Sequence, residues 1–299
     1  MSPQNKPSLL SVLPFLVLPP LFWAGNVTVG RAVRDDIDPI ALSFGRWVIA
    51  LLILLPFVWR LMYRDWPLYK QNWKRIVATA IMGVAAFNTL VYIGVHSTTT
   101  TNAILLNSCI PVLIMIFGSV FYHQKLHIIQ IVGLTISLAG VMCIVLAGEW
   151  SRLVHLSFNP GDLIVFLAMI CWALYTLWIR DIPTTIDRRG LTGIQIIIAV
   201  AVLAPLFFWE MSHTTTTWTL NTNAVLALAY VGIFPSVIAY LAYTTAVQKV
   251  GAVRAGLSIH LMPVFGVLLS VFVLGESIHL YHVMGIVMIA IGLILSNRA

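Results

Sequence analysis

The chain has 299 residues, of which 60% are hydrophobic and 9% charged, and its mean hydropathy is +0.96. A soluble domain carries about 25% charged residues, so the composition excludes a soluble globular protein and describes a polytopic membrane protein. The net charge of +7 would suggest nucleic acid in a soluble chain. Here it reads as loop charge that orients membrane helices, and no nucleic-acid partner is expected.

A helix crosses a bilayer with roughly 20 mostly apolar residues. Ten such runs follow one another: 9–29, 39–59, 76–95, 101–122, 128–147, 161–179, 191–210, 224–246, 252–274 and 281–297. They are continuous and about twice the length of the roughly 10-residue alternating strands of a membrane barrel. The connections are short and leave no room for a soluble domain. The first run, "LSVLPFLVLPPLFWAG", has the outline of a cleaved signal peptide. Its Trp23-Ala24 recurs as Trp172-Ala173, which makes it part of the fold. Cys109, Cys143 and Cys171 lie in apolar runs without metal spacing and read as small buried hydrophobes.

Lys and Arg set the sidedness. With the N-terminus in the cytoplasm, the inside holds Lys6, Arg60, Arg64, Lys70, Lys74, Arg75, Lys125, Arg180, Arg188, Arg189, Lys249 and Arg298. The outside holds only Arg31, Arg34 and Arg152, while Arg46 and Arg254 fall within helices. This bias places both termini inside, in a cell inner membrane.

The chain also matches itself. At an offset of 152, Pro111 falls on Pro263, His127 on His279, Gly133 on Gly285 and Gly140 on Gly292. At 149, Trp23-Ala24 falls on Trp172-Ala173, Arg31 on Arg180, Pro56 on Pro205 and Gly83 on Gly232. Residues 1–150 and 151–299 therefore read as two five-helix copies within one integrated membrane domain. An odd helix number makes the copies enter the membrane from opposite sides, an inverted repeat of the kind found in secondary transporters.

"LFWAGNVTVGRAV" followed by "FGRWVIALLILLPF", and "AVQKVGAVRAGLSIHLMPVFGVLLSVFVLGE" from Ala246 to Glu276, resemble the two repeats of the EamA family of the drug/metabolite transporter superfamily. Within it the chain is most similar to the YddG-like exporters of aromatic and other amino acids. The resemblance implies a five-plus-five bundle in which helices 1–4 and 6–9 surround a central cavity while 5 and 10 pack to the side. The first repeat departs from the signature, with Tyr122-His123-Gln124 where the second has Leu274-Gly275-Glu276.

A charge near the bilayer centre costs roughly 2.5–3.5 kcal/mol on insertion scales, so ionisable groups inside the runs carry information. Asp162, Glu210 and Glu276 lie at predicted helix ends and the remaining acids in loops. An acid-free membrane core favours neutral, zwitterionic or anionic cargo over lipophilic cations. Arg46 lies about 10 Å along its helix from the outer end. It reads either as a bidentate donor to a substrate carboxylate or as a snorkelling tie between helix ends. Arg254, which falls on Asn102 at offset 152, reads as an inner-surface or gate charge.

Trp59, Trp66, Trp73, Trp209 and Trp218 suit the interfacial aromatic belt. Trp23, Tyr92, Trp172, Tyr175, Tyr240 and Tyr243 fall within spans, the last four as pairs three residues apart on one helical face. They are candidates for an apolar cavity wall with polar tips. Asn26, Asn88, Asn102 and Ser258 are candidate polar contacts, and His260 is a candidate substrate contact or proton carrier. Packing between helices is the alternative role for each. Pro111 and Pro263 remove ladder hydrogen bonds and are candidate hinges. "HQKLH" and "HLYH" sit at helix ends and do not make a metal site. Gly133/Gly140 and Gly285/Gly292 read as close-packing faces of helices 5 and 10.

These readings converge on a secondary transporter that exports a small zwitterion, most simply an amino acid, by alternating access. Its expected partners are a small-molecule substrate and the lipid bilayer, with a monomer as working unit and no cofactor. A drug or nucleotide-sugar carrier is the alternative of the same fold. An intramembrane protease is the alternative of a different class. Ser258 and His260 invite it, but HExxH, GxSxG and a buried acid to orient the histidine are all missing, so no catalytic residue is nominated.

Overall fold

Capping chemistry and proline set the helix boundaries. The computed structural model describes residues 9–33, 36–154, 159–213, 221–275 and 277–297. Lys6, Arg34, Trp218, Glu276 and Arg298 lie outside the described residues, as do both chain termini. Among the described residues there is no strand. The described residues form ten helical segments, nine of them long and apolar enough to span a membrane and the last somewhat shorter. They are α1 Leu9–Ala32, α2 Pro39–Gln71, α3 Trp73–Ser97, α4 in two pieces Thr100–Asn107 and Ile110–Tyr122, and α5 Ile128–Val145. Then follow α6 Pro160–Arg180, α7 Arg188–His213, α8 Thr222–Val250, α9 Ala252–Leu257 continued by Ser258–His260 and Leu261–Leu274, and α10 Leu280–Asn297.

Asp38 accepts from the Ile40 amide at 3.1 Å ahead of Pro39, Asn159 and Asp162 form a capping box around Pro160, and Asn221 accepts from the Ala224 amide at 2.8 Å. Each cap satisfies an amide that the first helical turn leaves unpaired. Gly251, at φ 88, makes the turn between α8 and α9, a conformation that side chains rarely adopt.

Two boundaries differ from expectation. The second helix runs on past residue 59 to Gln71, so Arg60, Arg64 and Asp65 are helical rather than in a loop. The extension is amphipathic: Val58, Asp65 and Tyr69 are buried while Trp59, Tyr63 and Trp66 are exposed. It stops where the Asn72 side chain donates to the Leu68 carbonyl at 3.0 Å. The seventh helix begins at Arg188, which is buried on its first turn and is not a loop charge.

The helices are also interrupted. Ala80–Ala86 in α3 and Phe234–Ile238 in α8 are π-helical, a geometry that offsets backbone carbonyls and is frequent at functional sites. α4 breaks at Ser108 and Cys109, immediately before Pro111 in the first turn of its second piece. α9 passes through a 3₁₀ turn at Ser258–His260 shortly before Pro263.

The ends of α1, α3, α5, α7 and α9 lie together. There the Asn221 side chain reaches Asp36 at 2.9 Å; we call this the distal end. At the opposite, proximal end, Asp65 accepts from the Asp187 amide at 2.9 Å, Arg75 donates to the Asp181 carbonyl at 3.2 Å, and Lys249 lies over the Phe15 ring. α5 and α10 pair antiparallel along their glycines. A Cβ on Gly140 would stand 2.7 Å from the Gly285 carbonyl oxygen, and one on Gly133 2.6 Å from that of Gly292. Trp59, Trp66, Trp73 and Trp209 are exposed, as an interfacial belt requires.

The departure at Tyr122-His123-Gln124 leaves the backbone path unchanged. His123 ends α4 in the left-handed region (φ 49, ψ 32), as Gly275 ends α9 (φ 71, ψ 22). A side chain there is disfavoured, so His123→Gly should stabilise the protein by about 1 kcal/mol, read as a higher Tm in detergent. Gly140→Leu should destabilise it by at least about 1–3 kcal/mol, the cost of overpacking, because the obstacle is backbone that a rotamer change cannot clear.

Candidate functional site

A cavity of about 640 Å³ lies between α1, α3, α4, α6 and α9. It reaches the distal end beside Thr28 and Ala32, both exposed. Its wall is mostly apolar, with Val91, Ile104, Val165 and Val267 among the lining residues. α5 contributes Val141, Ile144 and Val145, and α10 contributes His282. The pair expected to pack wholly to the side therefore also forms part of the wall. Trp23, Trp172, Asn26 and Asn88 line its deep part.

Below it the bundle is closed by aromatic rings. Trp172 is the centre of the plug, with ring centroids of Phe87 at 4.5 Å, Trp23 at 5.0 Å, Tyr175 at 5.1 Å, Tyr243 at 5.2 Å and Tyr240 at 5.5 Å. Two of these contacts, those with Trp23 and Tyr240, are edge-to-face, an arrangement that ring quadrupoles favour. Tyr175, Tyr240 and Tyr243 are almost wholly buried. They do not line the cavity in this conformation; they form the seal between it and the proximal end. Trp23 and Trp172 do both.

Arg46 is fully buried one layer behind the cavity. Its Nε donates to Ser236 Oγ at 2.7 Å. Its Nη1 donates to Tyr92 Oη at 2.7 Å, to Asn88 Oδ1 at 2.8 Å and, more weakly, to Asn26 Oδ1 at 3.4 Å. Tyr92 in turn donates to Asn26 Oδ1 at 2.9 Å. Among the described residues no carboxylate pairs with Arg46, and its Nη2 has no partner. The guanidinium is thus solvated by neutral oxygens alone. Two of its partners, Asn26 and Asn88, present their other faces to the cavity.

The π-helical turns hold this network in place. Ser236 Oγ donates to the Val231 carbonyl five residues back at 2.6 Å while accepting from Arg46. Tyr240 Oη donates to the Gly83 carbonyl at 2.6 Å while accepting from Asn88 Nδ2 at 2.8 Å. Trp23 Nε1 donates to the Pro235 carbonyl at 3.2 Å. Each of these three contacts uses a side chain or carbonyl of the π turns at 80–86 and 234–238.

The other candidates are placed as follows. His260 lines the cavity and ties the helix breaks together. Its Nε2 donates to the Ser108 carbonyl at 3.0 Å, and its Nδ1 accepts from the Ser137 hydroxyl at 2.7 Å. Both ring nitrogens are occupied. Ser258 donates to the Ala255 carbonyl at 2.7 Å and is not bonded to His260. Asn102 lies at the distal rim, where its Nδ2 and the Thr98 hydroxyl donate to the Asp162 carboxylate. That carboxylate also caps the Asn159 amide at 2.7 Å. Pro263 lines the cavity; Pro111 does not, although its neighbour Ile110 does. Arg254 is half-buried on the first turn of α9. His123, His127, His279 and His282 do not gather into a metal cluster among the described residues.

Ser236, the anchor of Arg46, is not among the residues singled out from the sequence, and neither is Asn107, which donates to Met262 Sδ at 3.2 Å across the cavity wall. A serine directly after a proline in an apolar run was the one available sign of Ser236.

The EamA-like transporter family model matches this chain twice, over residues 10–146 and 159–298. It is 26% identical to the uncharacterized transporter YyaM of Bacillus subtilis (strain 168), covering 86% of this chain and 83% of that protein. It is 25% identical to an uncharacterized transporter of Archaeoglobus fulgidus over 94% of this chain and 96% of that one. Protein PagO of Salmonella typhimurium (strain LT2) is 22% identical over 96% and 93%. A crystal structure of a protein superposes with a TM-score of 0.76 at 17% identity, covering 96% of both chains, which shows a shared fold. Two family matches that together span nearly the whole chain, on a helical membrane bundle around a central cavity, show that this protein belongs to the EamA-like transporter family.

Proposed function

We propose that the protein is a secondary transporter that exports a small zwitterion, an aromatic or neutral amino acid, across the inner membrane by alternating access. In this reading residues 1–150 and 151–299 are inverted copies, both termini are cytoplasmic, and the distal end faces outward. The conformation is then outward-open, with the Trp172 plug closing the cytoplasmic side. The double family match supports the two-copy reading. The tilt toward YddG-like cargo rests on the aromatic floor of the cavity, which suits a planar side chain.

The single observation that carries the substrate class is Arg46. A buried guanidinium with an unpartnered Nη2, held against the cavity by Asn26 and Asn88, offers charge and donors to a carboxylate. The long Nη1–Asn26 bond of 3.4 Å is the weakest in the network and the cheapest to exchange for a substrate oxygen. Helix breaks beside Pro111 and Pro263, bridged by His260 to Ser108, are the hinge candidates.

Vesicles containing the protein and loaded with labelled amino acids should release aromatic or neutral ones several-fold faster than protein-free vesicles. Release of the matching decarboxylated amines should be no faster. Equal release with and without protein across a broad amino-acid panel overturns the proposal.

A further inference from the structure

A second set of buried polar groups lies on the far side of the plug. Arg188 is buried on the first turn of α7, and its Nη2 donates to the Ile182 carbonyl at 2.9 Å. Its Nε and Nη1 have no partner. The adjacent acids are committed elsewhere: Asp187 binds Arg189 at 2.8 Å, and Asp65 binds Arg64 at 2.7 Å and the Asp187 amide. The hydroxyl of Tyr175, fully buried within electrostatic reach of Arg188, is also without a partner. Gln195, two turns along the same face of α7, donates from Nε2 to Thr79 Oγ1 at 2.7 Å and leaves its Oε1 unpaired. Thr79 is one turn from Gly83, whose missing side chain makes room for the Tyr175 ring. A buried polar group left without a partner is costly. Several in one place indicate a site built for a ligand that this conformation excludes.

The sequence offset points the same way. The shift of 149 that lays Trp23-Ala24 on Trp172-Ala173 carries Asn26 to Tyr175 and Arg46 to Gln195. Tyr175 and Gln195 thus occupy the positions of Asn26 and Arg46 in the other half of the chain, while Arg188 falls on Pro39.

Resting on the carrier reading above, we infer that Arg188 and Tyr175 form a second carboxylate site, used when the plug opens toward the proximal end. Arg188 supplies the charge and two donors, and the Tyr175 hydroxyl a third donor. A substrate carboxylate released by Arg46 passes to Arg188 instead of to an uncompensated aromatic plug. The site is covered by the 181–187 connection, which Arg188 holds through Ile182 and which Arg75 and Gln248 tie to α3 and α8.

The test uses the purified full-length protein with benzoate as carboxylate probe and benzamide as neutral control. Benzoate is expected to raise Tm and benzamide not. Arg188→Gln and Tyr175→Phe should each raise the benzoate concentration for half-maximal shift at least threefold. Tyr175→Phe removes a hydroxyl that bonds nothing in this state, so its ligand-free Tm should hold or rise, which separates ligand loss from misfolding. No benzoate response in the wild type, or a response abolished by Arg46→Gln and unchanged in both proximal variants, overturns the second site. An Arg188-dependent response alongside no amino-acid flux from vesicles keeps the anion site and removes the carrier reading.

Discussion

The Arg46 guanidinium is a full charge in a membrane bundle with no counter-charge among the described residues, and the surrounding architecture follows from how it is accommodated. An isolated cation at such depth is expensive, and an ion pair would recover part of that cost. This fold uses neutral oxygens instead: Ser236, Asn88, Tyr92 and Asn26 from three different helices. Hydrogen bonds to a charged group are worth about 1.5–3 kcal/mol each, enough together to hold the charge. Among the described residues no carboxylate neutralises that charge.

That choice explains features that look unrelated along the chain. Ser236 lies in one π-helical turn, and the Gly83 carbonyl that anchors Tyr240 lies in the other. Tyr240 connects the Arg46 network, through Asn88, to the aromatic plug. The cavity-facing layer, the charge behind it and the seal below it are therefore one hydrogen-bonded and ring-packed unit. Asn88 is bonded both to Arg46 and to Tyr240 of the plug. His260 performs a comparable link on the other wall, joining the break in α4 to α9 and, through Ser137, to α5.

Much of this was legible in the residues. Ten apolar runs predict ten helical segments, because in hydrocarbon a backbone must satisfy itself internally. Arg46, Asn26, Asn88 and Trp172 stand out because polar and large aromatic groups are scarce in such runs. The glycine pairs of α5 and α10 meet as their spacing requires. Other features leave no local trace. Whether Tyr240 lines a cavity or seals it depends on conformation, which spacing does not encode. Arg188 resembled a loop charge because apolar pattern locates a helix core better than its first turn. His123 hid a left-handed cap that glycine would have announced. The π turns depend on tertiary contacts with Ser236 and Gly83 rather than on propensity.

The central claim, that Arg46 is held uncompensated in order to receive a carboxylate, is most directly tested by calorimetric titration. The purified protein and an Arg46→Lys variant that elutes as a folded monodisperse species are each titrated with phenylalanine and with phenethylamine. The account predicts that the wild type binds the acid and not the amine, and that a point charge, unable to reproduce the planar fork, weakens acid binding at least tenfold. Equal binding of acid and amine by the wild type, or undiminished acid binding by the variant, would contradict it.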